Sequence, residues 1–311
     1  MPSFIHKPVM VAEVLAALEP RSGRRYVDGT VGGAGHAAAI LEASAPTGWL
    51  FGCDRDGDAV DAARTRLERD FSGRFELRRG NFSEMAGWIP AESCDGVLLD
   101  LGVSSPQLDQ AGRGFSFQSD GPLDMRMDQR QERTAADLVN DLGVEELARI
   151  FWELGGERDS RRVARAIERD RRLSRFETTR QLAELLERIM PRQGRKAHPA
   201  TKIFQALRLA VNEEMESLDL GLTAALGVLK PGGRLAVITF HSLEDRRVRD
   251  FGRERSRDYE VPGGGVDVPE LRRPRAPEVR LVTRKAVLPG EAELAANPRC
   301  RSAQLRVLEK I

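Results

Sequence analysis

The stretch Tyr26-Val27-Asp28-Gly29-Thr30-Val31-Gly32-Gly33-Ala34-Gly35-His36 decides how this chain is expected to fold. A short apolar strand is predicted to end near Val27, and the four glycines allow the backbone to turn tightly. The alanine-rich run that begins at Ala37 predicts a helix, whose first N–H groups have no partner within the helix and face a ligand. The stretch therefore predicts a nucleotide-type binding loop between a strand and a helix.

A second predicted strand, Leu50-Phe51-Gly52-Cys53-Asp54, follows about twenty residues later and ends in a carboxylate. In a doubly wound sheet, an acid at this position accepts hydrogen bonds from ribose hydroxyls. The glycines do not fit the dinucleotide spacing G-x-G-x-x-G, and the chain lacks the ATP loop G-x-x-x-x-G-K-S/T. Because Asp28 makes the loop acidic, a cationic ligand is favoured, and S-adenosylmethionine carries a sulfonium and an ammonium. The stretch predicts an S-adenosylmethionine pocket; glycines that serve only packing are the alternative.

Two further strand ends are predicted at the same edge of the sheet. Gly80-Asn81-Phe82 ends the third strand with an aromatic side chain, which fits either an adenine ring or the rim of the core. The fourth strand, Cys94 to Asp100, is apolar until its final carboxylate. Because ligands lie beyond the carboxyl ends of strands in open α/β sheets, we expect Asp28, Asp54, Phe82 and Asp100 to converge there.

Composition limits the class of protein. The chain has 311 residues, of which 41% are hydrophobic, enough for one large domain or two modest ones. The net charge is +1, and only six of the 49 basic residues are lysine. This preference suits bidentate phosphate contacts, although a GC-rich genome explains it equally well. Cys53, Cys94 and Cys300 show neither disulfide nor metal-ligand spacing, so no metal site is predicted. Without a leader or membrane span, the protein is expected to be soluble and cytoplasmic.

The middle of the chain changes character. An irregular stretch from Arg113 to about Gln131 has aromatic and methionine residues that favour an ordered loop. Thr134 then predicts a helix cap with Asp137, and further helices follow. A strand from Arg234 to Phe240 returns the chain to the sheet. The fold class is therefore α/β, a Rossmann-like methyltransferase core of residues 1–108 and 205–311, with an all-helical domain inserted at 109–204.

One predicted helix of the insertion, Ser160 to Leu173, is dense in arginine. Such a face is more often simply solvated, but it also suits RNA phosphates, and a role in RNA recognition is predicted for the inserted domain. At the end of the returning strand, His241 begins a polar cluster, where it either faces the substrate or is only a satisfied strand-end residue.

With these residues assembled, the chain closely resembles the MraW family, also called RsmH, bacterial methyltransferases that act on a cytidine in 16S ribosomal RNA. The resemblance runs from His6-Lys7-Pro8-Val9 to Ser302-Ala303-Gln304-Leu305-Arg306. It rests on five specific motifs: Asp100-Leu101-Gly102-Val103-Ser104-Ser105-Pro106-Gln107-Leu108-Asp109, Arg113-Gly114-Phe115-Ser116-Phe117, Pro122-Leu123-Asp124-Met125-Arg126-Met127, Phe204-Gln205-Ala206-Leu207-Arg208, and Phe240-His241-Ser242-Leu243-Glu244-Asp245-Arg246.

The resemblance implies methylation of the exocyclic N4 of a cytidine in the decoding region of 16S rRNA, in the small ribosomal subunit, with S-adenosylmethionine as cofactor. It implies cofactor contacts for these residues: Ala34, Gly35, His36, Asp54, Phe82, Asp100 and Gln107. A second copy of the chain, in a homodimer, is considered as a further partner. The chain departs from some relatives at Ala34, where they have a further glycine, and from many at Leu154-Gly155-Gly156-Glu157, where they have Tyr-Gly-Glu-Glu.

The implied reaction limits the choice of catalytic residues. The lone pair of a cytosine amine is delocalised into the ring, so an enzyme must unstack the base, align the nitrogen and accept its protons. Asp100, Ser104 and His241 are therefore predicted as catalytic residues, with Asp100 serving the cofactor, the amine or both. Two rival classes are an NAD-dependent oxidoreductase, which would need a pyrophosphate loop, and a non-catalytic RNA-binding module, which would not need several polar strand ends.

Overall fold

The computed structural model describes residues 8–190, 198–261 and 267–311. Internal contacts divide the chain into two units, which we call the sheet unit (Met1–Gly102 with Glu216–Ile311) and the helical unit (Val103–Met215). The helical unit begins and ends at other residues than the predicted insertion, 109–204. The difference at its end has a physical cause: the helix Ala200–Val211 adds Ile203 and Leu207 to the helical core, so it stays in that unit as one element.

The sheet unit contains nine strands within the described residues. They are β1 (Arg25–Asp28), β2 (Trp49–Asp54), β3 (Phe75–Arg79), β4 (Cys94–Asp100), β5 (Leu229–Thr239), β6 (Tyr259–Glu260), β7 (Arg273–Pro274), β8 (Val279–Leu281) and β9 (Gln304–Lys310). Seven of them form one sheet in the order β3-β2-β1-β4-β5-β9-β8, and β6 pairs with β7. Strands β1 to β5 are parallel, whereas β9 runs antiparallel to β5 and β8. This order confirms the predicted Rossmann-like α/β class.

The parallel strands form where the sequence is continuously apolar, because both faces of such a sheet are covered. In the middle of the sheet, Val27 of β1 lies between Phe51 of β2 and Val97 of β4. The helices of this unit are α1 (Val11–Leu18), α2 (Gly35–Ala43), α3 (Gly57–Phe71), α10 (Glu214–Val228, in this unit from residue 216), α11 (Ser242–Arg255) and α12 (Glu291–Ala296). Tyr26 and Leu98 are fully buried in the core that these elements share.

Strand β5 differs from its prediction. The sequence predicts this strand from Arg234 to Phe240, but it already begins at Leu229 and ends at Thr239. Cys94 pairs with Leu229 and Gly96 with Arg234, so four residues of β5 stand opposite one residue of β4. The residues Lys230-Pro231-Gly232-Gly233 therefore form a bulge inside the strand, and Gly232 has the positive φ of 80° that such a bulge favours.

The helical unit has its own hydrophobic core. Its helices are α4 (Ser105–Asp109), α5 (Ala135–Asp141), α6 (Val144–Glu153), α7 (Ser160–Arg171), α8 (Thr179–Ile189) and α9 (Ala200–Val211). The predicted cap is confirmed, because Thr134 Oγ1 accepts from the N–H of Asp137 at 3.2 Å, and Asp137 Oδ2 accepts from the N–H of Thr134 at 2.8 Å. No helix within the described ranges is long and apolar enough to cross a membrane.

The irregular stretch before α5 is ordered, as predicted. Leu123 and Met125 are buried in the helical core. The Arg113 guanidinium donates to the carbonyls of Arg126 and Met127 at 3.1 Å each, and Asn212 Nδ2 donates to the carbonyl of Met125 at 2.8 Å. Side-chain hydrogen bonds thus supplement backbone bonds such as the one from the N–H of Met125 to the carbonyl of Arg113 at 3.1 Å.

The backbone of Ala34, just before α2, leads to a stability prediction. Its φ of 59° and ψ of 31° lie in the left-handed region, which costs a residue with a Cβ roughly 1–2 kcal/mol. Ala34→Gly relieves this strain but removes a buried methyl group worth about 0.8 kcal/mol, so we expect the free energy of unfolding to change by less than about 1 kcal/mol. Ala38→Gly, inside α2, should lose roughly 1.5–2 kcal/mol. Urea unfolding measures both; equal losses would contradict strain at Ala34.

Candidate functional site

Two glycines of the strand-to-helix connection between β1 and α2 lie very close to their neighbours. A Cβ on Gly29 would lie 2.5 Å from Leu99 Cδ2, and a Cβ on Gly35 would lie 2.8 Å from Pro8 Cγ. Such separations are below van der Waals contact, so a side chain at either position would force its neighbours to move. At these two glycines the backbone itself lies against the neighbouring residues of the sheet edge.

Asp28 ends β1 with a carboxylate that is 1% exposed. Its Oδ1 accepts from the N–H of Thr30 at 3.2 Å, whereas its Oδ2 is buried with no hydrogen-bond partner among the described residues. Burial raises the pKa of this carboxyl to about 6, an effect that nearby His36 partly opposes. A buried carboxylate oxygen without a partner is stabilised by a cationic ligand group.

Asp54 ties the end of β2 to the glycine loop. Its Oδ2 accepts from the N–H of Gly32 at 2.9 Å, and its Oδ1 accepts from the N–H of Asp56 at 3.0 Å. Burial raises the pKa of Asp54 to about 6, and both hydrogen bonds oppose that rise. Each carboxylate oxygen can accept more than one hydrogen bond, so donation by ligand hydroxyls remains open to Asp54.

Phe82 begins a 3-10 turn after β3 and is 8% exposed. Its ring packs on α10, where a Cβ on Gly221 would lie only 2.3 Å from Phe82 Cδ2. On the other side, a Cβ on Gly29 would lie 3.0 Å from Phe82 Cβ, which places Phe82 beside the glycine loop. Packing accounts for the buried ring, and the predicted contact with adenine stays a prediction.

Asp100 and His36 face each other across the end of β4. His36 Nε2 lies 2.8 Å from the carbonyl oxygen of Val9, and because a carbonyl only accepts, Nε2 carries the proton. Burial lowers the pKa of His36, so its Nδ1, 3.6 Å from Asp100 Oδ2, presents a lone pair. Asp100 Oδ1 is buried and has no partner within the described ranges. Burial first, and then the charge of Glu244, raise the pKa of Asp100 to about 7.

Glu244 was not predicted as a site residue. The structure shows that its side chain is buried, at 1% exposed. It lies in the first turn of α11, and its Oε2 accepts from the N–H groups of Phe240 at 2.8 Å and His241 at 3.3 Å. A capping residue followed three positions later by glutamate is a signature of a helix start, and it could have indicated this position. The fold places this second acid beside Asp100.

His241 is the N-cap of α11. Its Nδ1 accepts from the N–H of Glu244 at 3.4 Å. Its Nε2 lies 3.0 Å from Glu244 Oε1, but the direction is not that of a hydrogen bond, and Nε2 has no other partner within the described part of the chain. Capping accounts for the position of His241, and the predicted catalytic role stays a prediction.

Two predicted site residues belong to the helical unit. Ser104 precedes α4, and its N–H donates to Gln107 Oε1 at 3.0 Å. Gln107 is 5% exposed. Their predicted roles, catalytic for Ser104 and cofactor-binding for Gln107, stay predictions. In the sheet unit, the other predicted residues are brought together at the carboxyl ends of the parallel strands: Ala34, Gly35, His36, Asp54, Phe82, Asp100 and His241.

This arrangement suits a ligand that carries both positive charge and hydroxyl groups. The partnerless Oδ2 of Asp28 fits an ammonium group, and Asp54 can accept from ribose hydroxyls. Asp100 Oδ1 offers a further buried acceptor. The residues therefore fit S-adenosylmethionine.

The raised pKa of Asp100 leads to a prediction about pH. Asp100 holds its proton up to about pH 7 in the folded protein but only below about pH 4 when unfolded. The stability that this proton contributes is present below pH 4 and lost as pH rises through about 7. The Tm of Asp100→Asn minus the Tm of the unmodified protein should therefore be larger at about pH 8 than at about pH 5. We expect these two Tm differences to differ by about 2 °C or more.

Thermal unfolding without added cofactor measures this difference. Asp70→Asn is the control, because Arg69 lowers the pKa of the Asp70 carboxyl and it is ionised at both pH values. The control should show the same Tm difference at both. An equal Tm difference at both pH values for Asp100→Asn would contradict the raised pKa.

Comparisons with known proteins agree over the whole chain. A model of the MraW methylase family matches residues 3–311. The chain is 53% identical to the ribosomal RNA small subunit methyltransferase H of Syntrophotalea carbinolica, over 99% of this chain and 98% of that protein. It is 51% identical to the protein of the same name from Geobacter sulfurreducens, over 99% of this chain and 100% of that protein.

These matches confirm the predictions of a methyltransferase and of S-adenosylmethionine as its cofactor. They also overturn the rival prediction of an oxidoreductase and that of a non-catalytic RNA-binding module. A family model that spans nearly the whole sequence, together with relatives about half identical over their full length, shows that the chain belongs to the MraW methylase family.

Proposed function

We propose that this protein transfers a methyl group from S-adenosylmethionine to the exocyclic N4 of a cytidine in the decoding region of 16S rRNA, in the small ribosomal subunit. The observation that carries the chemistry is Asp100 Oδ1, a buried carboxylate oxygen without a described partner at the end of β4. The RNA substrate is proposed from the similar proteins, which are named as ribosomal RNA small subunit methyltransferases.

The chemistry of the target amine explains why such an oxygen is useful. When bound, S-adenosylmethionine supplies an electrophilic methyl group on a positively charged sulfur. The amine nitrogen becomes tetrahedral as it forms the new bond, and it must then lose a proton. An acceptor whose pKa is about 7, as burial and Glu244 give Asp100, is matched to proton transfer near neutral pH. Asp100 would hold an N–H of the amine and take up that proton.

The neighbouring residues would hold the cofactor and position Asp100. Asp28 would bind the ammonium group, and Asp54 would accept from the ribose hydroxyls while it keeps Gly32 in place. Asp100 is itself positioned through its backbone, because its N–H donates to Thr30 Oγ1 at 2.7 Å. The β1–α2 loop thus connects the cofactor side of the site to the proposed acceptor.

The proposal also concerns the location and the oligomeric state of the protein. A cytoplasmic location follows from the proposed substrate, because ribosomal subunits are in the cytoplasm. The homodimer stays a prediction, which sedimentation at several protein concentrations would test.

The proposed reaction has a direct test. Small ribosomal subunits that lack the modification, incubated with the protein and methyl-labelled S-adenosylmethionine, should take up label at a single cytidine of the decoding region. Mapping of the labelled nucleotide and analysis of the released nucleoside should give N4-methylated cytidine. Label at another atom or in another RNA would refute the proposed substrate, and subunits that already carry the modification serve as the control.

The role of Asp100 has a separate test. Asp100→Asn keeps the shape of the side chain and removes its charge, so turnover should fall by about two orders of magnitude, the scale of general-base or electrostatic assistance. Single-turnover methylation at saturating cofactor measures it. If Asp100 only anchors the cofactor, the defect will be a raised KM for S-adenosylmethionine that saturation overcomes.

Glu244→Gln tests how the pKa of Asp100 is set. Glutamine still accepts from the N–H groups that cap α11, but it carries no charge. Because Glu244 raises the pKa of Asp100, its removal should lower that pKa and move the acidic limb of the rate profile to lower pH. Single-turnover rates across pH, at saturating cofactor, measure the limb. An unchanged limb would show that the charge of Glu244 does not act on the group that titrates.

A further inference from the structure

The helical unit contains a large groove along α6 and α7, which Ile189 at the end of α8 also lines. Its volume is about 1410 Å³. Small-molecule pockets typically measure roughly 300–1,000 Å³, so this groove is better suited to a segment of a polymer. Ala148 of α6 and Ala166 of α7 line it with small, buried side chains, which leave space between the two helices.

The charge of the groove is strongly positive. Six arginines line it against two acids, Glu145 and Asp159; the arginines are Arg149, Arg158, Arg161, Arg162, Arg165 and Arg169. Arg158, Arg161, Arg162 and Arg165 have no carboxylate within ion-pair distance in the described part of the chain. An excess of unpaired guanidinium groups favours a polyanion, and their planar forks suit phosphate oxygens.

The arginines of the predicted arginine-dense helix thus fall into two groups, those with carboxylate partners among the described residues and those without. Arg172 lies outside the groove and pairs with Glu168 at 2.8 Å. Arg171 also pairs with Glu168, and it donates to the carbonyls of Val139 and Leu142 at 2.8 and 2.7 Å. These two arginines stabilise the helical unit itself. The unpaired arginines of α7 all line the groove.

Trp152 gives the groove an aromatic surface. It lies on α6 and is 57% exposed, whereas Trp49 and Trp88 are only partly exposed. Trp88 lies under the Arg78 guanidinium at 4.7 Å, but the Trp152 ring has no aromatic or cationic partner within the described ranges. An exposed indole beside unpaired arginines is the combination on which single-stranded nucleic acids bind, with bases stacked on the ring and phosphates on the cations.

We propose that this groove binds a single-stranded segment of the RNA substrate, with Arg161 and Arg165 on its phosphates and a base stacked on Trp152. The inference rests on the proposed function and adds to it the surface by which the RNA is held. An RNA duplex is less suitable, because its bases are already stacked and an indole cannot cover one. An acidic protein segment would satisfy the arginines but would leave the indole without a planar partner.

Trp152→Ala and Trp152→Phe test the stacking. The ligand is a fluorophore-labelled oligoribonucleotide of about twelve nucleotides, within the size range of single-strand sites, and anisotropy gives its affinity. We expect Trp152→Ala to weaken binding about tenfold, the scale of one lost stack, and Trp152→Phe to restore most of it. Unlabelled RNA should quench the tryptophan fluorescence of the unmodified protein, and Trp152→Phe should remove that quenching.

Arg161→Gln with Arg165→Gln tests the phosphate contacts. The slope of log affinity against log salt should decrease by about 1.4, because each phosphate contact on a single strand contributes about 0.7. Arg133→Gln with Arg180→Gln is the matched control, since both arginines are exposed, lie in the helical unit and do not line the groove. The control should keep the original slope, and S-adenosylmethionine affinity should stay unchanged in every variant.

The outcomes separate the groove from the function. One outcome is that the unmodified protein methylates small ribosomal subunits while Trp152→Ala and the double variant Arg161→Gln with Arg165→Gln bind RNA with unchanged affinity and salt slope. In that case the groove inference is wrong and the proposed function stands. If the unmodified protein does not methylate the cytidine, the proposed function fails, whatever the groove binds. Equal affinity for polyglutamate, unaffected by Trp152→Ala, would overturn the inference in favour of an acidic protein partner.

Discussion

The concentration of three buried or partly buried carboxylates at one edge of a parallel sheet is the constraint on which the rest of the site depends. A carboxylate taken out of water loses its hydrogen bonds to water, and backbone N–H groups replace part of them. Asp54 accepts from two N–H groups and Asp28 from one, and each has a pKa of about 6. Among the described residues, no N–H group donates to the side chain of Asp100, and its pKa is about 7. The shape of the glycine loop and the charge of the site are therefore set together.

Glu244 adds a fourth acid to this edge, and its position depends on a helix cap. The N–H groups of Phe240 and His241 hold its carboxylate at the start of α11. From there its charge disfavours ionisation of Asp100 at the end of the neighbouring strand. A local capping motif, which by itself only begins a helix, thereby tunes a group on another strand.

The helical unit depends on different physics. Its buried side chains form a separate core, and the irregular stretch before α5 is fixed by Arg113 and Asn212 rather than by regular backbone pairing. Because its helices bury their own apolar faces, their outer faces are available for charge. In the groove beside Trp152, Arg161 and Arg165 have no described carboxylate within ion-pair distance.

The sequence by itself determined the strands that end in Asp28, Asp54 and Asp100 and the cap at Thr134, because apolar runs and capping spacings act within a few residues. Only the tertiary structure brought Glu244 beside Asp100, since these residues are far apart in the chain and meet only because β4 pairs with β5. It likewise decided the bulge in β5 and the left-handed backbone of Ala34. The groove also depends on the tertiary structure, because Trp152 of α6 and the arginines of α7 share a surface only when these two helices pack together. Periodicity fixes which face of an element is buried, whereas contacts between distant elements decide what that face meets.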